Sequence, residues 1–212
     1  MTDTDPVLQP EWIAPARTAL LLIDMQTDFG GRDGKMAERG MDMAAPQAAL
    51  DKAGLLLEVA RAAGVAVVFV RFLSRPGTEN RIAREAKARR DKDEPDLCVE
   101  GTPGADFVGP RPLPGDEVVS KFHFSAFTRT GLADQLHARG VDTLVLCGLT
   151  TECCIAASAW DAFEQDFHVF LAADACAAYE DDLHQGALKA LRLSGATVAD
   201  VAAYIRAWEI CK

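Results

Sequence analysis

The chain is 212 residues long and has no uninterrupted apolar run of the roughly 20 residues that a membrane-spanning helix requires. Its opening stretch, Met1 to Pro10, is polar and acidic. It lacks the basic n-region and apolar h-region of a signal peptide, so none is expected. Positive charge is scarce: 22 Lys and Arg face 32 Asp and Glu, a formal net charge of −10. A nucleic-acid backbone or an anionic membrane as main partner calls for a basic patch, so neither is expected. The six cysteines (Cys98, Cys147, Cys153, Cys154, Cys176 and Cys211) form no C-x2-C pair. A chain of this size needs no disulfide staples, and the cysteines read as free thiols in a reducing, cytoplasmic compartment. There is no internal repeat, no low-complexity tract and no sign of a second domain.

What the chain does contain is an alternation of short apolar runs with segments of helical spacing. Thr18 to Ile23 is a continuous apolar run, as expected of a central parallel strand buried on both faces. Met41 to Ala63 has helical composition and ends at Gly64, placed as a C′ residue. Further strands are predicted at 65–70, 117–120, 143–147, 168–172 and 196–201, with helices over 131–139, 155–167, 183–193 and 202–208. This pattern predicts a single-domain three-layer α/β/α fold with a six-stranded parallel sheet, Rossmann-like in arrangement. Residues 1–17 read as a polar N-terminal leader and 18–212 as the domain. Residues 72–116 carry Pro76, Pro95, Pro103, Pro110, Pro112 and Pro114 and a dense charge cluster. They read as a lid excursion or a plain solvated one, with a solvated helix possible over 81–92.

In such sheets ligands bind beyond the carboxyl ends of the strands. Three reactive groups fall on that rim. Asp24 follows the first strand, Lys121 the third, and Cys153 and Cys154 the fourth. The last pair lies in Gly148-Leu149-Thr150-Thr151-Glu152-Cys153-Cys154-Ile155, a strand end, a turn of small polar residues and a helix start. A helix N-terminus favours a thiolate and can hold an anion on its free N–H groups. A thiol, a carboxylate and an ammonium together can divide nucleophilic attack, proton transfer and charge stabilisation between them. Each also has an ordinary structural reading: a buried small thiol, a turn-capping Asp, a solvated Lys.

Four segments, in order, resemble the isochorismatase-like cysteine hydrolases, in their amidohydrolase branch. Ala19 to Phe29 is similar to the opening motif of that family, Glu100 to Gly104 to a recurrent segment, and Val118 to Phe127 to the lysine motif. Gly148 to Ile155, followed by Asp161-Ala162-Phe163 and Asp174-Ala175, is similar to the nucleophile motif. The resemblance implies a cysteine-dependent amidohydrolase acting on a small amide, carbamoyl or ureide substrate through a thioester. Asp24, Lys121 and Cys154 are then catalytic, and Cys153 packs. A cis peptide at Leu149–Thr150 would aim the N–H groups of Thr150 and Cys154 into an oxyanion hole. Glu152 stands where the family more often has Asn or Asp. Phe29, Phe127 and Arg71 are the expected substrate-binding residues. The Asp-x-His metal motif of the family's nicotinamidases is absent, and the four histidines, His123, His137, His168 and His184, do not supply it, so no metal and no cofactor are expected. His137 and His184 read as solvated helix residues and His168 as structural, whereas His123 could border the pocket. A small-molecule substrate and a homodimer or homotetramer complete the expectation. The alternatives are a vinyl-ether hydrolase of isochorismatase type, which would not need Cys154, and a non-enzymatic protein on the same fold.

Overall fold

A computed structural model describes residues 7–75, 81–89 and 96–210. Pro76, Pro95, Cys211 and residues 90–92 of the expected charged helix lie outside the described residues. Six strands form one parallel sheet: β1 (Thr18–Ile23), β2 (Ala66–Phe72), β3 (Glu117–Lys121), β4 (Thr143–Leu149), β5 (His168–Ala177) and β6 (Thr197–Ala199). Their order is β3-β2-β1-β4-β5-β6, so the chain winds outward from β1 in both directions. β1 is buried along its whole length, as its unbroken apolar run requires of a central strand. Each of Leu20, Leu21, Leu22 and Ile23 is fully buried and contributes about 1.5–3 kcal/mol of apolar transfer.

The helices are α1 (Thr27–Gly30), α2 (Lys35–Glu38), α3 (Ala44–Ala63), α4 (Arg81–Arg89), α5 (Leu132–Ala138), α6 (Ala156–Phe163), α7 (Asp181–Leu193) and α8 (Val201–Ile210). Right-handed crossovers from β1 to β2 and from β4 to β5 run in opposite directions along the sheet, which puts α3 and α6 on opposite faces. α8 packs beside α3, and α7 beside α6. These are the three layers expected from the sequence. Gly64 closes α3 in the left-handed conformation (φ 77°), its N–H bonding to the carbonyls of Ala60 and Arg61.

Two local differences from the sequence reading follow from packing. Residues 7–17 of the expected polar leader pack onto the domain. Leu8 and Ile13 are buried in the main core, and the Trp208 indole donates to the Ile13 carbonyl. β5 runs past the expected Ala172 to Ala177, with a register shift against β4 between Leu146 and Gly148. The small residues Ala172, Ala173, Ala175 and Ala177 carried too weak a strand signature for that extension to be read.

Candidate active site

The carboxyl edge of β1, β3 and β4 is where the site forms. Asp24 directly follows β1 and has the uncommon positive φ of 54°. Backbone hydrogen bonds hold it there: its N–H donates to Val70 and its carbonyl accepts from Gln26. A non-glycine residue in this region costs roughly 1–3 kcal/mol, and the surrounding structure must impose it. Gly148, near the end of β4, has φ 132°, and a Cβ there would fall 1.9 Å from the Ile23 carbonyl oxygen. Glycine at this point lets β4 close against β1 one residue before Asp24. The next peptide bond, Leu149–Thr150, is cis, as the resemblance implied. The chain then makes one π-helical turn, Thr151–Ile155, before α6 begins.

This backbone brings the three rim residues together. Lys121, the last residue of β3, is fully buried, as is Asp24. Its Nζ lies 2.6 Å from Asp24 Oδ2. It donates to Cys154 Sγ at 3.3 Å and to the His123 carbonyl at 3.1 Å. All three ammonium protons therefore have acceptors, which is the condition for keeping such a charge out of water. His123 meets the site through its backbone.

The electrostatics follow from burial and from these contacts. Burial lifts the Asp24 carboxyl above its ordinary range, while the Lys121 charge, the Cys154 thiol and the Phe72 N–H pull it back. Burial also works against the Lys121 ammonium, but Asp24 and Cys154 outweigh it and the net direction is up. A hydrogen bond between the Cys153 and Cys154 side chains lowers the Cys153 thiol and raises that of Cys154. That bond, burial and the Asp24 charge raise Cys154 well above an ordinary thiol, with Lys121 opposing. Beside a charged Asp24, Cys154 holds its proton. If that proton passes to Asp24, the total charge of the cluster stays constant and the ammonium remains in contact with the new thiolate. Cys153 is half-buried and packs against the main core.

Of the three expected substrate-binding residues, the structure brings one to the site. Phe29 packs on Phe72, ring centroids 6.3 Å apart, and on Leu149 of the turn. Phe72 pairs with Lys121 across β2 and β3, its ring 5.3 Å from Nζ. Arg71 is not part of this group. It pairs with Ser120, one residue back from Lys121, and so points to the opposite face of the sheet, where its Nε donates to Ser120 Oγ. Phe127 is also elsewhere: it is buried and stacks on Phe167, which precedes β5 at the amino edge of the sheet. Position in a loop after Lys121 could not distinguish that packing role from pocket lining.

Other residues at this edge were missed. Gln26 is fully buried, and its side chain clamps three backbone groups: Nε2 donates to Phe72 and Ala105, and Oε1 accepts from Phe72. Buried Asp28 accepts from the N–H of Cys98 at 2.7 Å and of Lys35 at 3.2 Å. Gly104 lies so close that a Cβ there would sit 2.3 Å from Asp28 Oδ2. Together they fasten residues 97–107 onto the loop after β1, helped by a bridge between Gln26 and Phe107. Tyr179 donates to the Phe29 carbonyl. His184 is no solvated helix residue: it is half-buried, with Nδ1 2.8 Å from Thr151 Oγ1 of the π turn. His137 is exposed on α5, as expected, and its ring stacks on Phe167 at 4.1 Å at the far edge of the sheet. A polar side chain satisfied by backbone groups leaves no periodic trace in sequence. The spacing Asp24-x-Gln26-x-Asp28 was the one available signal.

Among the described residues, no group of three or more His, Cys, Asp and Glu is arranged to hold a metal ion. No helix among them is long and apolar enough to cross a membrane.

A parallel α/β sheet with a thiol, carboxylate and ammonium buried together at its carboxyl edge defines a protein of the cysteine-hydrolase class. The family model for the isochorismatase domain matches residues 18–203. The ureidoacrylate amidohydrolase RutB of Methylorubrum extorquens is 30% identical over 200 residues, covering 88% of this chain and 81% of that protein. A cysteine hydrolase from Pseudomonas syringae pv. phaseolicola superposes over the full length of both chains with a TM-score of 0.82 at 26% identity. The N-carbamoylsarcosine amidase of Thermoplasma acidophilum matches with a TM-score of 0.69 at 28% identity, over 87% of this chain and 96% of that one. The chain belongs to the isochorismatase family.

Proposed function

We propose that the protein is a cysteine-dependent amidohydrolase that cleaves a C–N bond of a small amide, carbamoyl or ureide substrate through a thioester, releasing ammonia or an amine. The observation that carries this reading is the buried Lys121 ammonium, in contact with Asp24 Oδ2 at 2.6 Å and Cys154 Sγ at 3.3 Å. The relatives support the substrate class: one is a ureidoacrylate amidohydrolase and another an N-carbamoylsarcosine amidase.

Asp24 accepts the Cys154 proton, and the sulfur attacks the substrate carbonyl carbon. The N–H groups of Thr150 and Cys154 hold the oxyanion. In the π turn, the N–H groups of Cys153 and Ile155 both donate to the Thr150 carbonyl, while that of Cys154 does not. An oxyanion donor contributes about 3–4 kcal/mol in enzymes of this kind of chemistry. When the tetrahedral intermediate collapses, the C–N bond breaks and Asp24 returns its proton to the leaving nitrogen. Asp24 then takes a proton from water, which attacks the thioester carbonyl and releases the acid and the free thiol. Lys121 stabilises each anionic stage. Phe29 lines the pocket. The acidic chain works on a small molecule in the cytoplasm as a homodimer or homotetramer, without nucleic acid or membrane.

The test is ammonia release over a panel of small amides, carbamoyl compounds and ureides. Wild-type enzyme releases ammonia from at least one of them, Cys154→Ala releases none, and Cys153→Ala stays close to wild type. Silence across the panel, together with cleavage of isochorismate by both wild type and Cys154→Ala, would overturn the amidohydrolase reading.

A further inference from the structure

The π turn that carries Cys154 also carries a carboxylate whose second oxygen has no partner. Glu152 lies two residues after Thr150 and two before Cys154. Its Oε1 accepts from Thr150 Oγ1 at 2.8 Å, which fixes the carboxylate beside the residue assigned to the oxyanion hole. Its Oε2 is buried and has no hydrogen-bond partner among the described residues. The neighbouring polar groups are engaged elsewhere: Tyr179 donates its hydroxyl to the Phe29 carbonyl, and His184 holds Thr151 Oγ1 with Nδ1. Glu152 and Cys154 share the single turn Thr151–Ile155, and the Thr150 hydroxyl ties the carboxylate to the residue that opens it. A buried acceptor without a donor is destabilising, and native proteins seldom keep one without a use for it.

We propose that Glu152 Oε2 accepts an N–H of the substrate, and that Glu152 is the residue that makes the site select acyl compounds carrying nitrogen over oxygen esters of the same acid. This inference rests on the amidohydrolase reading. An amide or ureide nitrogen next to the scissile carbonyl offers an N–H to an acceptor beside the oxyanion hole, and an ester oxygen offers none. The ester oxygen would instead place its lone pairs against a carboxylate. A site that hydrogen-bonds a substrate N–H rejects the analogue without it, because its buried acceptor is left unpaired. The same carboxylate disfavours substrates with a second anionic group beside the carbonyl.

The experiment measures kcat/KM for the best amide from the ammonia-release panel and for the methyl ester of the same acid, in wild type, Glu152→Gln and Glu152→Asp. Glutamine keeps an oxygen for Thr150 Oγ1 but replaces Oε2 with an NH2 donor. The expected result is a fall in amide kcat/KM of about tenfold to a hundredfold in Glu152→Gln, with ester kcat/KM unchanged or raised. Glu152→Asp, which retains a carboxylate, keeps the preference for amide over ester. A Glu152→Gln enzyme that lowers both reactions equally, while Glu152→Asp does the same, marks Glu152 as structural and overturns the proposal. An unchanged amide rate in Glu152→Gln overturns it too. If wild type cleaves esters and releases no ammonia from any amide, the amidohydrolase reading fails, and the inference with it.

Discussion

Replacing Lys121 with methionine removes the cation from the centre of the site while keeping most of the side chain's volume. Asp24 and Lys121 are both completely buried, and their charged atoms are 2.6 Å apart. Removing one partner of a buried pair leaves an uncompensated charge and costs about 3–5 kcal/mol. The exposed pair Arg17–Asp142 is just as short at 2.6 Å but leaves 39% and 45% of its side chains in solvent, so Arg17→Ala should cost under about 1 kcal/mol. The size of the Lys121→Met loss should depend on pH. The Asp24 carboxyl is raised in the folded protein, chiefly by burial, and Lys121 is the main influence holding it down. Without Lys121 it rises further. Between the unfolded value of about 3.9 and that raised value, the folded state binds the extra proton. Stability therefore falls as pH climbs through this window. The variant should be closer to wild type at pH 5 than at pH 8. Urea titrations at both values measure this, and an unchanged m-value licenses the comparison. Adding Asp24→Asn to Lys121→Met should recover part of the loss, because the orphaned charge is gone. A Lys121→Met protein within 1 kcal/mol of wild type at pH 8, or an Asp24→Asn/Lys121→Met protein showing the simple sum of both single losses, would refute the reasoning.

Gly148→Ala places a Cβ 1.9 Å from the Ile23 carbonyl oxygen at a φ of 132°, so it should cost at least about 2 kcal/mol in urea and remove activity by separating β4 from Asp24. Gly54→Ala in α3 meets nothing within 4 Å and should raise stability by about 0.5–1 kcal/mol. Arg71→Ala should leave the kinetic constants for the panel's best substrate unchanged, because its side chain is on the other face of the sheet; a loss of activity above tenfold would return Arg71 to the pocket.

The sheet was legible because its central strands are buried on both faces and therefore carry runs such as Thr18 to Ile23 and Thr143 to Cys147 that few other structures tolerate. Asp24 and the Cys153–Cys154 pair could be placed on the rim because they follow such runs or the turn after them; Lys121 ends the short edge strand β3, and the choice of Cys154 over Cys153 came from the family resemblance. What lay beyond reach depended on contacts between segments distant in sequence. The faces of Arg71 and Phe72 on β2 could be told apart only by their register against Ser120 and Lys121. Phe127 was indistinguishable from a pocket aromatic until its stacking partner Phe167 was known. Gln26 and Asp28 act by holding the backbone of Phe72, Ala105 and Cys98, and the backbone has no sequence of its own. The burial of Leu8 and Ile13 shows the same limit, since two apolar residues in a polar stretch make no periodic pattern.

The central claim is that Cys154 carries the acyl group during turnover, and intact-protein mass spectrometry after a rapid acid quench tests it most directly. With a substrate found in the ammonia-release panel, wild-type enzyme should gain the mass of the acyl group, mapped by proteolysis to Cys154, and Cys154→Ala should gain none. Steady-state turnover by Cys154→Ala at the wild-type rate, or an acyl group found on Cys153, would contradict it.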